Sequence, residues 1–188
     1  NPRSVAITDL LRRPSVQLDV DRIHDWLSAK VVLVTGSAGS IGSEICRQLL
    51  ELAPEKIVLV DRSETGQFFL ERELRQLAPH IEVEVAMADL TDRERLHTVF
   101  KHHQPQIIFH AAAYKHVPLM EAHPGEAIKN IVLATKNVVD LSEEFHAESF
   151  VMISTDKAVN PTSVMGSCKR LAEQYVEAKS STSPCRLV

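Results

Sequence analysis

The sequence has few cysteines and few aromatic side chains: 3 of its 188 residues are cysteine and 5% are aromatic. Cys46, Cys168 and Cys185 lie far apart without any CxxC spacing, so neither a zinc site nor a disulfide framework is indicated. This cysteine usage fits a reducing, cytosolic environment. The chain also lacks a run of the ~18 apolar residues needed to span a bilayer, and it lacks a signal-peptide pattern. We therefore expect a soluble segment, which belongs to a longer protein because no initiator methionine begins it.

A strong excess of one charge is also missing, since the net charge is −4 and the pI is about 6.1. The basic pairs at 12–13 and 169–170 are too small to form a patch, which argues against a nucleic-acid partner. A small anionic ligand held by local donors stays compatible with this balance. Hydrophobic residues make up 44% of the chain, enough for one sizeable core but too few for two full domains.

Continuous β-branched runs alternate with helical patterns along most of the chain. "VVLVTG" and "KIVLVDR" have the continuous apolar pattern of strands buried on both faces. Such alternation predicts an α/β fold with a doubly wound parallel sheet in the order 3-2-1-4-5, and a sixth strand beginning at its edge. We assign 1–28 to an N-terminal arm or linker that ends in a short helix, and 29–188 to a Rossmann domain. The predicted strands lie in 31–36, 56–62, 81–90, 105–113 and 149–155, and the predicted helices span 43–52, 67–77, 93–102, 126–145 and 164–178.

The segment "TGSAGSIG" follows the first strand directly and leads into a helix. Glycine spacing alone is weak support for a ligand site, because a Gly-rich turn can serve chain reversal only. Here the glycines join a buried strand to a helix N-terminus, where free N–H groups and the helix dipole favour a pyrophosphate. Ile41 is available to pack beside the turn. The dinucleotide contacts predicted in this segment are Gly36, Ser37, Gly39, Ser40, Ile41 and Gly42.

Asp61 ends the second strand, about 20 residues after the glycines, where the fingerprint places a carboxylate on the adenosine ribose. This favours NAD. Arg62 leaves NADP open, because an arginine here can receive a 2′-phosphate, although it can equally be a solvated strand-end residue. Asp89 and Leu90 end the third strand, where they could meet the adenine. Asp89 could instead cap the next helix, a role for which Thr91 and Asp92 are also candidates.

The loop after the fourth strand also borders the predicted cleft. We expect Ala111, Ala112 and Lys115 to contact the cofactor, and Lys115 could touch the substrate instead. We predict no metal site. His110, His116 and His123 lack ligand spacing, and the adjacent histidines at 102–103 cannot share one helix face.

The chain resembles the extended short-chain dehydrogenase/reductases, and among them the UDP-N-acetylglucosamine 4,6-dehydratases of bacterial polysaccharide biosynthesis. The resemblance covers nearly the whole chain and rests on "VVLVTGSAGSIGSEICRQL", "FHAAAYKHVPLMEAHPGEAIKNIVLATKNV" and "STDKAVNPTSVMGSCKRLAE". Ala134 departs from it, since the family commonly has glycine there. The stretch "LLRRPSVQLD" is similar to the lead-in of the large membrane-anchored members.

The resemblance implies a truncated Rossmann domain, with the sixth strand only begun and the C-terminal substrate domain beyond the end of the chain. It implies NAD or NADP as cofactor, a UDP-sugar substrate and a homo-oligomer. It also implies a cytoplasmic domain of a bacterial inner-membrane protein that serves capsule or lipopolysaccharide synthesis, with membrane contact only through segments outside this chain.

In this family a hydride moves from sugar carbon 4 to carbon 6 as water is lost. Side chains must accept the carbon 4 hydroxyl proton, remove the carbon 5 proton and protonate the departing hydroxyl. By resemblance Asp156 protonates the departing hydroxyl and Lys157 removes the carbon 5 proton. Lys157 would need a pKa depressed by burial or by Lys169 and Lys115 nearby. The same pair could otherwise be a solvated strand-end pair. By resemblance Lys169 holds the nicotinamide ribose.

Met165 stands where the family's usual tyrosine lies, one helical turn before Lys169, and a thioether cannot transfer protons. The large membrane-anchored dehydratases share this methionine, which could be simple core filler. We therefore expect Thr155 backed by Asp156, or a water that they hold, to accept the carbon 4 hydroxyl proton. The alternatives are epimerase or ketoreductase chemistry, or a silent dinucleotide-binding module, for which Asp156 and Lys157 would have no use.

Overall fold

The computed structural model describes residues 19–188 and contains one six-stranded sheet. All of its strand pairs are parallel, and their spatial order is β3-β2-β1-β4-β5-β6. This confirms the doubly wound order predicted from the sequence, including the sixth strand at the edge. The strands are β1 (Val31–Thr35), β2 (Lys56–Asp61), β3 (Glu82–Met87), β4 (Ile107–His110), β5 (Ser149–Met152) and β6 (Arg186–Leu187).

Helices cover both faces of the sheet, because β1 and β2 are buried on both sides and need apolar partners on each. Leu33, Val58 and Val60 pack into one apolar cluster, whereas Val32 and Ile57 pack into the other. The helices are α1 (Val20–Leu27), α2 (Ser40–Leu49), α3 (Glu64–Leu77), α4 (Arg93–His103), α5 (Val117–Ala122), α6 (Pro124–Ala127), α7 (Ala134–Glu144) and α8 (Val164–Ser180), with 3₁₀ turns at Leu50–Leu52 and Asp156–Ala158.

Two helices begin earlier than their apolar periodicity predicted. Helix α2 begins at Ser40 and α3 at Glu64, each three residues before the expected start, because their first turns add no buried apolar residue to the periodic pattern. The helix predicted over 126–145 begins at Pro124 and contains a π-helical segment, Ile128–Leu133, before α7. Such segments are frequent at functional sites, and this one faces the carboxyl edge of the sheet described below.

The short helix expected in the N-terminal arm is present as α1. Asp19 caps it by accepting a hydrogen bond from the Arg22 N–H at 3.2 Å. Leu27 is 2% exposed within the core, and the Trp26 ring meets Phe109 edge-on at 6.1 Å. Helix α1 therefore packs on the sheet, while the rest of the predicted arm, including "LLRRPSVQL", lies outside the described residues. Within 19–188, no helix combines the length and apolar character needed to cross a membrane.

A buried polar chain joins β1, β4 and α7 beneath the carboxyl edge of the sheet. His110 is fully buried, with Nδ1 2.8 Å from Thr35 Oγ1 and Nε2 3.0 Å from Thr135 Oγ1. Because the Thr135 hydroxyl donates to the Ile131 carbonyl at 2.6 Å, it accepts from Nε2, and Nδ1 accepts from Thr35. Burial, followed by the charge of Lys169, lowers the pKa of His110 to about 3, so the ring is neutral.

We expect His110 to make stability depend on pH between about 3 and its ordinary value of about 6.5. As pH falls through that window the unfolded chain binds a proton that the folded chain rejects, so the unfolding free energy decreases. His110→Gln should lower stability at pH 7 but flatten this dependence by about 1.4 kcal/mol per pH unit. Urea unfolding from pH 7 to pH 4 measures the slope, with the exposed His80→Gln as control. Equal slopes in wild type and His110→Gln would contradict the assignment.

Candidate active site

The glycine-rich turn brings three backbone segments closer together than any side chain would permit. Gly36 has φ = +67°, and a Cβ on it would lie 2.7 Å from the Ala112 backbone after β4. A Cβ on Gly42 would lie 2.1 Å from the Gly36 carbonyl oxygen. Glycine is therefore needed at both positions, so that the turn, α2 and the end of β4 can meet.

The N-terminus of α2 is open towards this turn. Gly39 is its N-cap and supplies no side-chain cap, so the first-turn N–H groups, Ser40 to Gly42, have no partner within the helix. Such a terminus favours an anion. Ile41 does not pack as expected, because its side chain points outward and is 56% exposed. Ser37 is fully buried, its hydroxyl donates to Gln67 at 3.0 Å, and it is not among the residues that line the cleft.

The carboxylate of Asp61 is oriented before any ligand arrives. Its Oδ2 accepts a hydrogen bond from the Ala38 N–H at 3.2 Å, and its Oδ1 accepts from the Ser63 N–H at 2.9 Å. These contacts hold Asp61 at the end of β2, beside the glycine turn, as the fingerprint predicted. The remaining lone pairs can accept from ligand hydroxyls.

Arg62 is not a freely solvated residue. Its Nη1 donates to Asp89 Oδ2 at 2.9 Å, its Nη2 donates to the Tyr114 hydroxyl, and its guanidinium lies 5.0 Å from the centre of the Tyr114 ring. A weaker contact at 3.4 Å reaches Asn130 of the π-helical segment. The hydrogen bonds that Arg62 donates to Tyr114 and Asp89 raise its pKa above the ordinary value. The arginine thus ties β2 to the loops after β3 and β4.

Asp89 does not cap the following helix, because Asp92 does so by accepting from the Arg95 N–H at 2.9 Å. The Oδ1 of Asp89 instead accepts from the Thr91 N–H and hydroxyl, at 2.9 and 2.7 Å. Burial alone would raise the pKa of Asp89, but these bonds and Arg62 outweigh it and lower the pKa. The carboxylate is therefore ionised and fixed at the mouth of the cleft.

One cleft lies at the carboxyl edge of β1 to β4, and many of the predicted cofactor residues line it. Tyr114 and Asn130 line it too, although neither was predicted to contact the cofactor. Lys115 does not line this cleft: it is exposed and borders a separate pocket with His116. The predicted residues that line the cleft are Gly36, Gly39, Asp61, Arg62, Asp89, Leu90, Ala111 and Ala112.

Thr155, Asp156 and Lys157 follow β5 at the same edge of the sheet, beside the cleft rather than among its lining residues. Thr155 donates to Asp156 Oδ1 at 3.0 Å, and Lys157 Nζ lies 3.4 Å from the same oxygen. Thr155 first, and then Lys157, lower the pKa of Asp156. The burial expected around Lys157 is not observed, because its side chain is 55% exposed and that of Asp156 is 88% exposed.

Met165 and Lys169 share one face of α8, as predicted, and both are buried. Met165 is 3% exposed in an apolar cluster with Met120, Ile131 and other side chains, so it is core filler. Lys169 is 6% exposed, and its Nζ donates to the Ile153 carbonyl at 2.9 Å. Burial lowers the pKa of Lys169 to about 8.

Gly166 couples α8 to the segment after β5. A Cβ on Gly166 would lie 2.5 Å from the Lys157 carbonyl oxygen. The Gly166 N–H donates to the side chain of Ser163, the N-cap of α8, at 3.1 Å. The loop that carries Asp156 and Lys157 is therefore seated directly on the helix that carries Lys169.

The sequence matches the family described as "Polysaccharide biosynthesis protein" over residues 32–186. The chain belongs to this family. It is 45% identical over 175 residues to the probable polysaccharide biosynthesis protein EpsC of Bacillus subtilis, covering 93% of this chain and 29% of EpsC. It is 33% identical over 152 residues to an inverting UDP-N-acetylglucosamine 4,6-dehydratase of Campylobacter jejuni, covering 80% of this chain and 44% of that enzyme. This family member thus spans less than half the length of either relative.

Solved structures of similar fold agree with the family assignment. Pen from Bacillus thuringiensis superposes with a TM-score of 0.77 at 28% identity, covering 85% of this chain and 50% of Pen. The Bordetella bronchiseptica enzyme WbmG, solved in complex with NAD, superposes with a TM-score of 0.67 at 23% identity, covering 80% of this chain and 50% of WbmG. The second likeness bears on the fold alone.

We expect Gly42→Ala to destabilise the protein by about 1–3 kcal/mol, because the new methyl group meets backbone that cannot rotate away. Gly125→Ala is the matched control, since a Cβ there has no neighbour within 4 Å among the described residues. Its effect should be small and of either sign. Urea unfolding at pH 7 measures both variants, and equal losses would show that the close contact at Gly42 carries no strain.

Proposed function

We propose that this protein is an NAD-dependent 4,6-dehydratase that acts on a UDP-N-acetylhexosamine in polysaccharide synthesis. The observation that carries the proposal is the presence of Thr155, Asp156 and Lys157 as one bonded group at the sheet edge that also holds the dinucleotide-type cleft. A silent binding module has no need of an acid and a base there. The relative named a UDP-N-acetylglucosamine 4,6-dehydratase supports the substrate class.

The residues of the cleft fit a dinucleotide. Gly39 supplies no side-chain cap to α2, which leaves the first N–H groups of this helix open to a pyrophosphate. The oriented carboxylate of Asp61 supports a role in accepting from the ribose hydroxyls, and it favours NAD because a 2′-phosphate would meet its negative charge. Arg62 is already engaged by Asp89 and Tyr114, so it is less available to a 2′-phosphate. WbmG, which was solved in complex with NAD, shares the fold of this chain.

The proposed proton transfers use Asp156 and Lys157 in turn. When bound, NAD supplies the acceptor for hydride from sugar carbon 4 and the donor of hydride to carbon 6. Asp156, through Thr155, accepts the carbon 4 hydroxyl proton and later gives it to the departing carbon 6 hydroxyl, which leaves as water. Lys157, as the neutral amine, takes the carbon 5 proton and returns it after the double bond is reduced. Atoms balance with the loss of one water.

The lowered pKa of Asp156 keeps its carboxylate ionised and able to accept a proton, but it also makes the group a weaker base. Its second task and that of Lys157 both require a drier environment than the described residues provide, because both side chains are exposed. We propose that the bound sugar nucleotide covers this pair, and that closure shifts both groups towards their roles. Lys169 orients the nicotinamide ribose and stabilises the developing alkoxide with its charge.

The setting of this chemistry follows from the resemblance and is also a proposal. The protein would act as a homo-oligomer on the cytoplasmic side of a bacterial inner membrane, anchored by segments outside this chain. The whole protein, incubated with UDP-N-acetylglucosamine and no added reductant, should yield a 4-keto-6-deoxy sugar by mass spectrometry. A 4-epimer without loss of water would favour the epimerase instead, and no product with tight cofactor binding would favour a silent module.

We expect Asp156→Asn to reduce product formation by at least about 100-fold and to suppress the first hydride transfer, because its amide cannot accept the proton. Lys157→Ala should instead let reduced cofactor accumulate in a single turnover, since only the carbon 5 step is blocked. Absorbance of reduced nicotinamide follows both variants. Met165→Leu is the matched control and should keep near-normal rates, because it preserves packing without any proton function. Normal cofactor reduction in Asp156→Asn would refute the assigned base.

We expect NAD to bind more tightly than NADP in calorimetric titration. Asp61→Ala should weaken NAD binding and reduce the difference in affinity between NAD and NADP. The substitution removes both the acceptor for the ribose hydroxyls and the charge that repels a 2′-phosphate. Arg62→Ala, which breaks the links to Asp89 and Tyr114, serves as a comparison. Tighter binding of NADP by the wild type would reverse the assignment and give Arg62 the deciding role.

A further inference from the structure

Two histidines and a glutamate converge at the opposite edge of the sheet from the cleft. His102 and His103 end α4, just before the chain enters β4, and Glu84 lies in β3. One ligand atom from each of the three side chains lies within 4.8 Å of the others. The two imidazole rings meet edge-on, with their centroids 4.6 Å apart. A nitrogen of each ring therefore lies close to the other, although residues adjacent on a helix usually point in different directions.

One ring nitrogen of His103 lacks a hydrogen-bond partner among the described residues. Its side chain is only 6% exposed, yet its Nδ1 has no hydrogen-bond partner among the described residues. The nearest acceptor, Glu84 Oε2, lies 3.5 Å away and does not form a hydrogen bond with it. A buried nitrogen that lacks a hydrogen-bond partner destabilises the folded state, so a native structure is expected to offer it a partner.

We propose that Glu84, His102 and His103 bind a divalent transition metal ion of the zinc class, with water completing the coordination. Zinc bonds to imidazole nitrogen and carboxylate oxygen are about 2.0–2.2 Å long, which places two ligands of a tetrahedron about 3.4 Å apart. The separation of 3.5 Å between His103 Nδ1 and Glu84 Oε2 matches that spacing. Two imidazoles favour zinc, copper or nickel over magnesium or calcium.

The two glutamates near the cluster attract a cation, whereas the nearby Lys56 weakens its binding. Lys56 Nζ lies 2.9 Å from Glu82 and 3.0 Å from Glu84 Oε1, which leaves one negative charge in excess and Oε2 free to face the histidines. The lysine orients Glu84 but repels a metal. Because the bound ion would join the end of α4 to β3, its effect would be on the stability of this edge rather than on the chemistry of the cleft.

Spacing along one helix could not reveal this arrangement, since the third ligand comes from a strand that precedes α4. The expectation of no metal site rested on histidine spacing alone, and the proposal replaces it for this cluster. The site does not rest on the proposed dehydratase function. Its test uses only zinc chloride and the purified protein.

Isothermal titration with zinc chloride, in a buffer that does not chelate, should give one saturable site in the wild type. His103→Ala and Glu84→Gln should weaken binding at least tenfold, and so should His102→Ala, whose exposed side chain can be removed without disturbing the fold. His97→Ala is the control: His97 lies on the same helix, beside Glu144, and should bind zinc as the wild type does. Lys56→Met should tighten binding, because it removes the competing charge.

Thermal unfolding gives a second readout, since an ion that binds only the folded state raises the melting temperature. Zinc should raise that temperature in the wild type and in His97→Ala, but not in His102→Ala. Magnesium should have no effect. The proposal fails if the wild type shows no saturable binding up to about 1 mM zinc, which corresponds to about 4 kcal/mol of binding free energy. It also fails if His102→Ala and His103→Ala bind zinc as tightly as the wild type.

Discussion

The candidate site depends on one close approach of backbone to backbone. Gly36 touches Ala112, and Gly42 touches the Gly36 carbonyl, at distances that admit no Cβ. This contact lies between β1 and β4, where the sheet reverses its order, so the two halves of the fold separate around an open edge there. The N-terminus of α2 and Asp61, which accepts from the Ala38 N–H, take their positions from this turn.

The two halves of the site differ in how complete they are. On the adenosine side, Asp61, Arg62 and Asp89 are already held by hydrogen bonds, so a ligand would meet oriented groups. After β5, Asp156 and Lys157 are exposed and contact mainly each other and Thr155. In the proposed function, such a site would hold the cofactor firmly, whereas Asp156 and Lys157 would depend on bound substrate to exclude water.

Strands and glycines were predictable from the sequence because their signals are local. The apolar runs predicted the first five strands of the parallel sheet, and the spacing of Gly36 and Gly42 predicted the turn. The partners of Arg62 were not predictable, because Tyr114 and Asn130 approach it only in the folded chain. The exposure of Lys157 was missed for a similar reason: burial depends on which segments cover a residue, and sequence spacing does not report it.

Lys169 keeps an amine in the protein interior at a cost in folding stability. An ammonium group that is 6% exposed and donates to one carbonyl is poorly compensated for its lost hydration, as its lowered pKa indicates. Selection for heat resistance alone would favour an apolar residue at this position. A ligand that offers oxygen atoms to Lys169 would recover part of that cost, so the occupied protein should withstand heat and proteases better than the empty one.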